Sequence, residues 1–224
     1  MAMRISLSFA LISSLACLGS GCATSGMSLD PVLASNSSEM AVYNPAGPFV
    51  KGKLNFGPYN VWELQNTEMQ NQEAAAMIES YSFWMTDEWS RHWETQCQRQ
   101  MRKASRASGA AEIISLNCEI AGADDIEKNY TWGMKLTAIQ NGPSVRMGQV
   151  KNARHEMRIE SHYGVGKRKA IGFNIYMGEK PVASIKTTGQ GSIWIHDHLA
   201  GDVRSAVAAT ATGLLLFDKS LENS

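Results

Sequence analysis

Between Ala206 and Phe217 the chain runs Ala-Val-Ala-Ala-Thr-Ala-Thr-Gly-Leu-Leu-Leu-Phe, without one charged side chain. A helix with a single apolar stripe can lie on a surface, but one that is apolar all round has to be covered on every side. With its ends, and Asp202 as the N-cap, the segment is about 16 residues long, short of the roughly 20 that cross a bilayer. The cover must then come from the protein itself, and the rest of the chain reads as strand. The expectation is a mainly β (α+β) domain in which an antiparallel β-barrel or strongly curved sheet encloses the C-terminal helix.

Alternation of apolar and polar residues marks the strands. Ile114, Leu116, Cys118 and Ile120 share one face, as do Trp132, Met134, Leu136 and Ala138, and more weakly His155, Met157, Ile159 and Ser161. Residues 173–177 and 182–186 flank Gly178-Glu179-Lys180-Pro181 as a hairpin, and a short strand over 192–195 follows Gly189-Gln190-Gly191. Residues 81–85 and 91–97 pair across Thr86-Asp87-Glu88, with a helix over 84–103 as the alternative. A loosely alternating segment follows the Gly57-Pro58 turn. Residues 65–79 read as a loop or short helix; 98–108 is basic and polar, and within it 99–106 reads as an exposed loop. A strand-rich body followed by an apolar helix ending in Asp218-Lys219 resembles the tubby and phospholipid-scramblase type of barrel. The resemblance, over 173–195 and 199–219, implies a closed barrel threaded by its last helix.

At the other end, Arg4 precedes an apolar run over 5–18, too short to span a bilayer and suited to a signal peptide. It leads into Leu18-Gly19-Ser20-Gly21-Cys22-Ala23, which resembles the lipobox of bacterial lipoproteins. That resemblance implies removal of residues 1–21 and acylation of Cys22, palmitate included. One acyl chain holds a protein marginally, several hold it stably. Ala23 stands where an Asp would mark inner-membrane retention, so the expected location is the outer membrane of a Gram-negative bacterium, with the domain in the periplasm. Residues 22–50, rich in Ser, Asn, Pro and Gly, read as the lipidated N-terminus and a flexible tether. Residues 51–224 read as a single domain. Cys17 leaves with the signal and Cys22 takes the lipid, so Cys97 and Cys118 are expected to pair in an oxidising compartment. Closing a loop of that size contributes about 3 kcal/mol.

Lys and Arg number 21 and so do Asp and Glu, which removes any bulk attraction to nucleic acid. The fragment Gly164-Val165-Gly166-Lys167-Arg168-Lys169 lacks the spacing and the Ser/Thr of a phosphate loop. As a cationic loop, Lys167, Arg168 and Lys169 would contact phospholipid head groups or an acidic partner, as would the basic stretch 99–106. Trp84, Trp89 and Trp93 offer an aromatic platform for a sugar or peptide; otherwise they fill the core. His196 and His198 flank Asp197 as the weak metal candidate, with His155 and His162 as more distant recruits. Neighbours on an extended chain point to opposite faces, and no G-x-S-x-G elbow is present. No cofactor and no catalytic residue are assigned. The reading is a non-catalytic binding or scaffold module for an envelope protein, peptidoglycan or phospholipid. A lipid-handling module is the alternative, and a metal-dependent enzyme centred on His196 and His198 the second.

Overall fold

A computed structural model describes residues 27–43, 53–71, 76–102, 112–122, 131–140, 146–164 and 170–222. Among them are twelve antiparallel strands. The first six are β1 (Met40–Ala41), β2 (Lys53–Phe56), β3 (Tyr59–Asn71), β4 (Ala76–Thr86), β5 (His92–Arg102) and β6 (Glu112–Gly122). The others are β7 (Trp132–Gln140), β8 (Arg146–Lys151), β9 (Glu156–Tyr163), β10 (Ala170–Met177), β11 (Lys180–Lys186) and β12 (Ser192–Ile195). From β2 to β12 each strand pairs with its neighbour in sequence, and β1 pairs with β12. Just beyond β1, Tyr43 exchanges two backbone hydrogen bonds of 2.8 Å with Asn55 of β2. The two edges of the sheet therefore meet, and the barrel is nearly closed.

Eight strands make a barrel that side chains alone can fill, and diameter grows with strand number. Twelve leave a lumen that needs a further filler, and a helix about 10 Å across is of the right size. That filler is α2 (Gly201–Glu222), in which every residue from Ser205 to Asp218 is buried. Its first half is slender, with Ala at 206, 208, 209 and 211, at the level where the wall carries Tyr59, Trp93 and Trp132 pointing inward. Leu214, Leu215, Leu216 and Phe217 fill the other half. The expected enclosure of an uncharged helix by sheet is thus the observed architecture. The helix is longer than expected, at 22 residues, and Asp202 lies in its first turn rather than at the cap. No helix among the described residues is long and apolar enough to cross a membrane. The helix begins at the barrel end where β4, β6 and β12 finish, here the entry end, and leaves toward the exit end.

The hairpins across 81–97 and 173–186 form as expected, and Cys97 is bonded to Cys118 with Cα atoms 4.0 Å apart. These two cysteines are directly opposed on β5 and β6, pointing into the lumen beside Gly213 of α2.

Three expectations are corrected. Residues 65–71 and 76–79 are strand, not loop or helix: they belong to β3 and β4, which pair as a long hairpin. The basic stretch beginning at Arg99 is still strand as far as Arg102, and Arg99 points inward with only 1% exposure. The tether expected over 22–50 is ordered along 27–43. There a one-turn helix, α1 (Pro31–Ser35), capped by Asp30, buries Leu33. Leu33, Met27, Ile171 and Trp194 form a second small core on the outside of β10–β12. The segment orders here because the barrel wall supplies the surface that Met27 and Leu33 pack on.

Candidate functional site

The turn between β4 and β5 is organised by one carboxylate. Asp87 Oδ1 accepts the backbone N–H groups of Trp89 and Arg91, both at 2.9 Å. Its Oδ2 accepts from Arg91 Nε (2.8 Å), Trp93 Nε1 (3.1 Å) and Ser205 Oγ on α2 (2.7 Å). Burial alone would raise its pKa, but the donors from Ser205, Arg91 and Trp93 outweigh burial and hold it below the ordinary carboxylate value. Beside it, Arg204 of α2 binds Glu88 (3.0 Å), the Tyr59 hydroxyl (3.2 Å) and the His196 carbonyl (3.0 Å). Burial pushes the Tyr59 hydroxyl up to about 12, so it stays protonated. These groups fasten the first turns of the helix to the hairpin.

On the outside of this clamp lies an aromatic strip. Trp89, 49% exposed at the hairpin tip, sits over Gly201 and under the Arg91 guanidinium, 4.7 Å from its ring centre. On the adjoining outer wall Trp62 stacks on Trp84 with ring centres 5.8 Å apart and meets His92 edge-on at 5.9 Å. Trp62 also donates to Thr86 at 3.2 Å. The expected platform of Trp84, Trp89 and Trp93 is therefore not one surface. Trp93 is a core residue with its indole N–H on Asp87, and Trp62 with His92 takes its place beside Trp84.

Two further buried charge pairs hold the exit half. Glu79 and Arg99 meet at 3.0 Å, and Arg146 and Asp218 pair with Thr187 hydrogen-bonded to the same carboxylate. Tyr81 donates to the Gly213 carbonyl of α2 at 2.9 Å, and burial pushes its hydroxyl far above the ordinary range.

His196 and His198 lie with ring centres 5.6 Å apart, and the His198 amide donates to His196 Nδ1. Asp197 faces Arg204 at 3.4 Å rather than completing a ligand set. His155 stacks on Trp132, and His162 sits on the outer wall of β9 against Asn174 at 3.1 Å. Among the described residues no three His, Cys, Asp or Glu side chains converge as a metal site. Ser184, Asn174 and His162 do form a hydrogen-bonded row. However, Ser184 Oγ donates to Asn174 Oδ1 at 2.7 Å, so no imidazole is placed to take its proton, as a nucleophile needs. Burial holds His162 below its ordinary pKa. Cys22, Lys167, Arg168 and Lys169 lie outside the described residues.

The Asp87 clamp escaped sequence reading, although Asp-Glu-Trp-Ser-Arg carries its signal: an Asp at the start of a turn whose side chain can bond its own backbone two residues on. Arg99, Arg146 and Asp218 gave no local sign of burial, because each partner is remote in sequence. In comparison with known proteins, no family model matches the chain, and no curated protein and no solved structure matches it significantly.

Proposed function

We propose that the chain is a non-catalytic binding module of the bacterial envelope, anchored in the outer membrane through lipid on Cys22, with its barrel in the periplasm. The single observation that carries the binding role is the outward strip of Trp62, Trp84, His92, Trp89 and Arg91 on a rigidly clamped hairpin. Trp and Arg dominate the energetic centres of protein interfaces, and side chains already held in place lose little entropy on binding. An envelope protein is the partner this chemistry favours over peptidoglycan. Asp87, Tyr59, Tyr81 and Arg146 are engaged in holding α2, which supports a scaffold rather than a reactive centre. The helix fills the space in which a carried phospholipid would lie, which weighs against lipid handling. Twelve antiparallel strands in chain order around a C-terminal helix support placing the chain with the tubby and scramblase type of barrel, a likeness of architecture that does not fix activity.

A photo-crosslinking residue in place of Trp89, introduced in intact cells, is expected to give one discrete adduct with an envelope protein. The same residue in place of the exposed Lys135 on β7 is expected to give none. With the captured partner purified, Trp89→Ala should weaken the complex by about 2 kcal/mol, roughly thirtyfold. Equal labelling from both positions, or unchanged affinity in Trp89→Ala, contradicts this reading.

A further inference from the structure

Cys97 of β5 and Cys118 of β6 stand opposite each other on the lumen side of the wall, 4% and 6% exposed. In the same cross-strand row Tyr81 of β4 pairs with Cys97 and Met134 of β7 with Cys118, and both are buried. Two residues along each strand in either direction, Thr95, Arg99, Leu116 and Ile120 close the remaining sides, none more than 1% exposed. The lid is α2. A Cβ at Gly213 would lie 3.7 and 3.8 Å from the two sulfurs and 3.3 Å from the Met134 methyl. The Gly213 carbonyl is held in place by the Tyr81 hydroxyl, which donates to it at 2.9 Å.

Thiol–disulfide exchange needs more room than this. A thiolate attacks one sulfur of a disulfide and expels the other, so every route to or from the bond passes through a mixed disulfide. In that intermediate the reagent hangs on a protein sulfur. With α2 seated, a third sulfur and its substituent have no volume to occupy beside Gly213. We infer that the Cys97–Cys118 bond forms while α2 is outside the lumen, and that seating of the helix then seals it against thiol reagents.

The oxidant is a disulfide-bearing protein or small molecule, and its substrate is the open sheet rather than the finished barrel. One cysteine thiolate attacks the oxidant's disulfide and expels one of its sulfurs; the other cysteine thiolate then attacks the protein sulfur of the mixed disulfide and expels the second. The two cysteine thiols give up two protons and two electrons, and the oxidant leaves as two thiols. Covalent closure comes first and threading second. The bond fixes the β5–β6 register that forms the seat for Gly213, and the seated helix makes the bond permanent.

The test follows the two thiols in the full chain by alkylation and mass spectrometry of the peptides that hold Cys97 and Cys118. Dithiothreitol should reduce the native protein at least about a thousandfold more slowly than the urea-unfolded protein, a ratio set by the population of open molecules. Leu214→Ala, which loosens the helix, should speed native reduction about thirtyfold or more. Lys135→Asp should change it by no more than about threefold. In the other direction, the reduced chain is diluted from urea, with oxidised glutathione present at once or added only after tryptophan fluorescence has settled. Late addition to a folded dithiol chain should close the bond at least about a hundredfold more slowly than early addition. A reduced chain that stays unfolded until the oxidant arrives obeys the same order, because its helix has not seated ahead of the bond. Native reduction within about tenfold of the unfolded rate, an unchanged rate in Leu214→Ala, or equally fast closure in a folded dithiol chain overturns the inference.

Discussion

Ala209→Asp is expected to leave the chain without a cooperative unfolding transition. Ala209 is 0% exposed, in the middle of a helix surrounded by sheet. A carboxylate there has no water and no cationic partner, and leaving a buried charge uncompensated costs several kcal/mol. The extra atoms also press into a packed interior, adding about 1–3 kcal/mol. Against a total stability of about 5–15 kcal/mol for a domain, the sum removes most or all of the margin. Leu214→Ala, which only opens a cavity, should cost about 2–5 kcal/mol and keep a sharp transition. Lys135→Asp on the outer wall should shift stability by no more than about 0.5 kcal/mol. Urea unfolding followed by tryptophan fluorescence compares the three. Wild-type-like unfolding of Ala209→Asp would mean that residue is not enclosed.

The second large effect is expected at the exit half, where Asp218 answers the Arg146 guanidinium and Thr187 inside the barrel. Both side chains of the ion pair are less than a tenth exposed. Asp218→Ala strands Arg146 between the rings of Phe173 and Phe217, whose centres lie 5.7 and 6.0 Å away. Breaking one side of such a pair typically costs about 3–5 kcal/mol, whereas replacing both members by apolar residues is neutral or stabilising. Arg146→Met with Asp218→Leu should therefore recover most of the stability that Asp218→Ala loses. If the double variant is as unstable as the single one, the pair is not the source of the loss. The pair fixes where along the barrel the helix comes to rest: a sliding helix would leave both charges without partners, while apolar contacts alone would tolerate small shifts.

Much of the fold was legible from the chain because the informative patterns were strong. The alternation over 114–120 and 132–138 lies in strands with one wet face and one dry face, the hairpin over 173–186 is marked by its Gly-containing turn, and those are the strands observed. An uncharged helix beside so much sheet pointed to enclosure. What failed, failed for identifiable reasons. Residues 65–79 are full of Gln, Asn, Glu and Ala, poor in strand propensity; 65–71 and 76–79 pair because a long hairpin with β5 beyond it supplies the hydrogen-bonding frame. Segment 27–43 lies within a stretch rich in Ser, Asn and small residues, yet Met27, Leu33, Met40 and Val42 meet a wall already built. A composition rule, which counts only a segment's own residues, misses that help.

The tryptophans teach a point about parity. Cys118 shares a face with Ile114, Leu116 and Ile120, so it points inward, and a bonded Cys97 must do the same. Trp93 lies four residues before Cys97 in one strand, an even number, and so faces the core. Trp84 sits between Phe83 and Met85, which face the core, and is therefore outside. The step to Trp93 needed only the expected disulfide and strand, and it separates Trp93 from the surface strip. The partners of Asp87 and Arg204 were another matter. They are brought together by the closure of the barrel around the helix, over separations of more than a hundred residues, and no local pattern encodes that.

Everything proposed for this chain rests on a helix held inside sheet. Native-state hydrogen exchange of the amides over 206–217, measured in the disulfide-bonded protein free of membrane, tests it most directly. The structure predicts that these amides exchange only through global unfolding, with the same free energy as the most protected strands β5 and β6. Exchange at a much lower free energy than that of the sheet would show α2 opening independently to solvent, and the enclosed-helix architecture would be wrong.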